Sequence, residues 1–137
     1  MEVSPYLNFD GQCAEAFRFY EKTLGGTIVM MQTFGDSPAK DQVPPDWRDK
    51  IVHVRLDLGG HTIMGSDAPP PNYSAPQGVF ISVNVQLADA KRVFDALSAG
   101  GKVTMPFGAT FWSPGFGMAF DRFGVPWMVN AEPAPAA

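Results

Sequence analysis

The chain predicts an α+β fold: tandem βαβββ repeats forming a cupped mixed β-sheet, with the helices on its convex side. Three observations carry this. The same order of elements occurs twice, in about residues 3–66 and 78–131, joined by a proline-rich linker at 67–77. Each helix-like segment ends on a Gly-Gly pair, and Gly100 falls 75 residues after Gly25, close to the 76 separating Asn8 from Asn84. The strand-like runs alternate with a period of two, whereas the segments after Asp10 and Val85 repeat at helical spacing. Two half-sheets of this kind have apolar faces to bury, which predicts pairing and a concave cleft between them.

The elements follow in order. In the first strand Val3, Pro5, Leu7 and Phe9 face one way and Ser4, Tyr6 and Asn8 the other. Asp10-Gly11 closes it, and Asp10 is the expected helix N-cap. The helix carries its apolar stripe on Cys13, Ala16, Phe17, Tyr20 and Leu24, and Gly25 or Gly26 supplies the left-handed residue that ends it. After the strand Thr27–Met31, residues 33–50 hold Gly35, Pro38, Pro44 and Pro45 and read as a long surface loop. Val52, Val54, Leu56 and Leu58 then alternate with His53, Arg55 and Asp57, a half-buried strand with one polar face. Gly59-Gly60 turns the chain into His61–Met64.

The second half repeats the pattern. Val79, Ile81, Val83 and Val85 face one side, and Phe80, Ser82 and Asn84 the other. Ala90, Val93, Phe94 and Leu97 form the second helical stripe. Strands follow at Lys102–Met105, Phe116–Phe120 and Trp127–Asn130, with a glycine- and aromatic-rich loop at 107–116. Residues 132–137 (Glu-Pro-Ala-Pro-Ala-Ala) have nothing to bury and are expected to be a disordered tail.

The bulk properties narrow the function classes. A chain of 137 residues is one domain by size, with enough sequence for one core. A net charge of −4 argues against nucleic acid and anionic membranes as partners. No apolar run approaches the roughly 20 residues needed to span a bilayer, and no signal peptide is visible. With one cysteine no internal disulfide forms, so a cytoplasmic protein is expected. Cys13 lies on the core stripe of its helix and reads as a packed thiol instead of a nucleophile.

Strand parity selects the candidate site. His53 alternates away from Val52 and Val54 and should face the cleft, where a neutral imidazole can act as general base near pH 7. Arg55 shares that face and can clamp a carboxylate or phosphonate. Tyr6, Asn8, Ser82, Asn84 and Asn130 offer hydroxyls and amides to a polar ligand. Met64, Met118 and Met128, with Phe111, Trp112, Phe116 and Trp127, give the cleft a soft apolar wall. Trp112 lies in the loop and suggests a ligand lid or a dimer contact.

Five motifs carry a family resemblance: Pro5-Tyr6-Leu7-Asn8-Phe9-Asp10-Gly11, Ala16-Phe17-Arg18-Phe19-Tyr20, Met64-Gly65-Ser66-Asp67, the segment Gly78 to Val85, and Asp121 to Asn130. Together with the tandem unit they resemble the vicinal-oxygen-chelate superfamily of glyoxalase I, bleomycin- and fosfomycin-resistance proteins and extradiol dioxygenases, in its PhnB-like branch. The resemblance spans about residues 3–131. It implies paired subunits, and the proline- and aromatic-rich loops suit a homodimer. It also implies a small-molecule ligand.

In metal-using members of that superfamily, two His (or His and Gln) and one or two Glu hold the ion. Those positions fall here near Ser4 or Tyr6, near Phe80 and near Met128, and Glu15 and Glu21 are the only glutamates between Val3 and Asn130. The usual metal is therefore not expected; His53 with Asp67 is the surviving candidate set. Some PhnB-like proteins are labelled 3-demethylubiquinone 3-methyltransferases. No glycine-rich strand-to-helix turn for a methyl donor is present, because Gly25-Gly26 and Gly100-Gly101 end helices. The first expectation is thus a metal-independent small-molecule binding protein. The alternative is a divalent-metal-dependent glyoxalase-like lyase, isomerase or group transferase using His53.

Overall fold

Alternating apolar residues place β1 (Tyr6–Phe9) with Leu7 and Phe9 buried and Tyr6 and Asn8 exposed. The structure is a computed structural model that describes residues 1–133. The first module continues with α1 (Cys13–Leu24), β2 (Thr27–Thr33), β3 (Ile51–Asp57) and β4 (Thr62–Asp67). Its sheet runs β1-β4-β3-β2, with β1 parallel to β4 and the other pairs antiparallel. The second module holds β5 (Ile81–Gln86), α2 (Leu87–Ser98), β6 (Lys102–Gly108), β7 (Phe116–Phe120) and β8 (Pro126–Glu132). Its sheet repeats the plan as β5-β8-β7-β6, with β5 parallel to β8. The chain divides into two packed units, Met1–Ala75 and one that starts at Pro76.

Each helix lies on its own sheet through the predicted stripe, except that Thr23 and not Leu24 is buried at the end of the first. Cys13, Ala16, Phe17 and Tyr20 are fully buried in the first module, and Ala90, Val93, Phe94 and Leu97 are buried in the second. Full burial of one such aromatic contributes about 2–3 kcal/mol. Phe17 meets Phe9 edge-on at 6.0 Å and Tyr20 at 5.6 Å. Both sheets make room for their helix in the same way. A Cβ on Gly65 of β4 would lie 2.6 Å from Phe17, and one on Gly117 of β7 would lie 2.7 Å from Phe94. Only a glycine lets either ring rest on the strand backbone.

Four expectations need correction. Asp10 does not cap α1: the N-cap residue is Gln12, which makes no side-chain cap bond. Asp67 satisfies that helix start from β4, accepting from the backbone N–H groups of Gly11 (2.9 Å) and Cys13 (3.0 Å) through Oδ1. The second module's first strand begins at Ile81, and Val79, expected on its inner face, is 72% exposed. Residues 33–50 contain two short 3₁₀ turns, Lys40–Gln42 and Pro45–Trp47. Strand pairing continues through Glu132, inside the expected tail, and residues 134–137 lie outside the described residues.

Candidate functional site

The outward face of the first sheet gathers most of the chemistry. Register aligns Tyr6 with Met64, Met64 with Arg55, and Arg55 with Met30 across four strands. The next row aligns Asn8 with Ser66 and His53 with Gln32. Tyr6 and His53, 47 residues apart, come together: Tyr6 Oη lies 3.1 Å from His53 Nδ1, and the rings stack at 5.7 Å with 20° between their planes. Arg55 Nη2 donates to Thr62 Oγ1 at 3.2 Å and meets Glu2 Oε1 at 3.5 Å. Ser66 Oγ donates to Asn8 Oδ1 at 3.3 Å. A cavity of about 430 Å³ opens on this face, walled by Arg55, Asp57, Thr62, Val29 and the amino-terminal residues Met1–Val3. A bulge between Ile28 and Met30 turns Val29 out toward it.

The same face of the second module has a different character. Ser82 pairs with Met128, Met128 with Met118, Asn84 with Asn130, and Asn130 with Phe116. Asn130 Nδ2 donates to Asn84 Oδ1 at 3.0 Å. Asn130 Oδ1 is the buried side-chain polar atom left without a partner among the described residues, an acceptor able to take a further donor. Trp112, 53% exposed, packs edge-on against Phe111 at 4.8 Å and Phe116 at 5.2 Å. Ser113, buried beneath, bonds Gly115 O and Ala131 O and holds this loop to β8.

Several expected contributors do other work. Trp127 is 1% exposed and lies on the core face, so it is not part of a ligand wall. Its Nε1 donates to Asp121 Oδ2 at 2.8 Å, while Asp121 Oδ1 accepts from Phe123 N and Val125 N. Asp121 is thereby a turn-closing carboxylate. Asp67 is 2% exposed, on the core face of β4, and Ile51 N donates to its Oδ2 at 2.9 Å. Burial pushes its carboxyl above the ordinary value, opposed by its three N–H donors and the Lys50 charge. His53 lies on the outward face, so Asp67 and His53 do not form a metal pair. Cys13 is fully buried, and desolvation, reinforced by the Asp67 charge, pushes its thiol upward, which fits a core residue.

The donor set for a divalent metal fails on composition. The resemblance puts the ligand positions near Ser4 or Tyr6, near Phe80 and near Met128, and none of these residues is a His, Gln or Glu. Among the described residues no three His, Cys, Asp or Glu side chains come close enough to hold an ion. These residues do not fit the metal that the superfamily uses elsewhere.

The repeated βαβββ plan, with a ligand-sized cavity on one outward face, defines a glyoxalase-type scaffold. The chain belongs to the Glyoxalase/Bleomycin resistance protein/Dioxygenase superfamily, whose family model matches residues 4–129. Among its relatives, Protein YjdN of Escherichia coli is 38% identical, covering 95% of each chain. Protein PA1353 of Pseudomonas aeruginosa has a solved structure with 50% identity and a TM-score of 0.90, over 98% of this chain and 99% of that one. The PhnB protein of Bacillus cereus shares the fold at 24% identity and a TM-score of 0.82, over 96% and 100% of the two chains. Among the described residues no helix is long and apolar enough to cross a membrane.

Proposed function

We propose that this chain binds a small anionic or polar molecule on the outward face of its first sheet, without the divalent metal of its superfamily. One observation carries the reading: the cavity of about 430 Å³ has Arg55 in its wall. Arg55 can hold a carboxylate or phosphonate, and Glu2 already presents a carboxylate to it at 3.5 Å. Outside the cavity wall, the same sheet face carries the hydrogen-bonding groups of Tyr6, His53 and Asn8 and the adaptable thioethers of Met64 and Met30. The second module's outward face, with Ser82, Asn84, Met118, Met128 and Asn130, offers a hydroxyl, amides and thioethers at its centre, with its ionisable groups, Glu132 and Lys102, at strand ends. The exposed Phe111–Trp112 pair supports a homodimer, which sedimentation at micromolar concentration would detect.

The test is a thermal-shift titration of metal-stripped protein with Mg²⁺, Mn²⁺, Zn²⁺, Ni²⁺ and Fe²⁺, followed by a panel of small carboxylic and phosphonic acids. The reading expects no saturable metal response and a saturable rise in Tm with at least one acid that Arg55→Ala abolishes. A saturable response at one metal per chain, lost in His53→Ala, would overturn it in favour of metal-dependent catalysis.

A further inference from the structure

We infer that Tyr6 fixes His53 in its Nε2–H tautomer, and that His53 and Arg55 then form a two-point grip for acids bearing a second acceptor oxygen a few bonds from the first anion. This deepens the reading above and rests on it, since it names the class of ligand that the Arg55 face takes.

The argument starts from the contact of Tyr6 Oη with His53 Nδ1 at 3.1 Å. A phenol O–H is a stronger donor than an imidazole N–H, and an imidazole nitrogen is a stronger acceptor than a phenol oxygen. The shared proton therefore stays on Tyr6 and points at the Nδ1 lone pair. Neutral imidazole carries one proton, which this bond leaves on Nε2. The stacked rings at 5.7 Å and 20° restrain the imidazole plane, so the tautomer has a defined direction.

His53 thus becomes a donor without being charged. Arg55, two residues on along β3, points from the same face, at a strand spacing of about 7 Å between the two Cα atoms. A guanidinium has donors and no acceptor. Two donor groups on one strand face, one cationic and one neutral, match a ligand with an anionic oxygen at one end and another acceptor oxygen at the other. Short dicarboxylates and oxo acids have that form. A ligand hydroxyl would meet two donors and no acceptor from this pair, so plain alcohols are disfavoured. Tyr6 is a positioning residue here: it acts through His53 and need not touch the ligand.

The experiment uses ¹⁵N-labelled full-length protein. Long-range imidazole spectra of the free chain report the tautomer directly, and with only two histidines a His61→Gln sample assigns the signals. The Nε2–H tautomer is expected for His53, with Tyr6→Phe moving it toward a mixture. Succinate and butyrate, matched in length, are then titrated separately. The parent should bind succinate about tenfold more tightly than butyrate, and Tyr6→Phe should cut that ratio to about threefold or less. An Nδ1–H tautomer in the parent, an unchanged ratio in Tyr6→Phe, or no binding of succinate overturns the two-point grip. Binding of some other acid through Arg55 in the wider panel would leave the broader reading standing, so the two failures are distinguishable.

Discussion

The two modules share one architecture and differ on one face. Both set a helix on a four-stranded sheet, both thin a strand to glycine beneath a helical phenylalanine, and both bond an asparagine of their first strand to the last strand. Where the first module presents Tyr6, His53 and Arg55 outward, the second presents Ser82, Phe116 and Met118. What the fold requires is repeated; what would engage a ligand is not. The buried carboxylates teach the same lesson from inside. Asp67 ties a helix start to β3, whereas Asp121 closes a turn and anchors Trp127.

The largest way to break the comparison is at Asp67. Asp67→Ala strands three backbone donors in the interior and should cost about 3 kcal/mol or more, read by urea denaturation. Its pH dependence has a definite sign. The folded-state pKa is raised, so the group's linked contribution to stability is lost as pH rises through that value and is fully present below the unfolded value of about 3.9. The stability difference between parent and Asp67→Ala should therefore grow as pH falls through that window. A shrinking difference would contradict the assigned shift.

Gly65→Ala and Gly117→Ala sharpen the symmetry. Each Cβ meets an aromatic ring of its own module below 3.0 Å, and that of Gly65 also meets Leu7 O at 2.9 Å, so each should cost about 1–3 kcal/mol, Gly65→Ala the more. A loss in one variant only would show that the two helices are not seated alike. At the other extreme, Arg55→Ala should change stability by less than about 1 kcal/mol, because its ion pair with Glu2 is well exposed. The same variant should lose acid binding.

Period-two alternation made β1, β3 and the outward positions of Tyr6, Asn8, His53 and Arg55 legible in the sequence, and helical spacing gave both stripes. Cross-strand register was not legible. Nothing local says that Tyr6 meets His53 or that Asp67 reaches Gly11, since such contacts depend on β1 lying parallel to β4 and on the register of β4 with β3. Trp127 was misplaced because its strand is nearly all apolar, Pro126-Trp127-Met128-Val129, and a uniform run has no face to read. Asp10 looked like a cap because capping from a distant strand leaves no sequence signature beside the helix.

The central claim is that ligand chemistry resides on the first module's outward face. The most direct test is an amide chemical-shift titration of assigned, metal-stripped protein with succinate. The account predicts saturable shifts concentrated on β1, β3 and β4 around Tyr6, His53, Arg55 and Thr62, absent in Arg55→Ala. Saturable shifts confined to β5, β7 and β8, around Asn84, Met118 and Asn130, would contradict it.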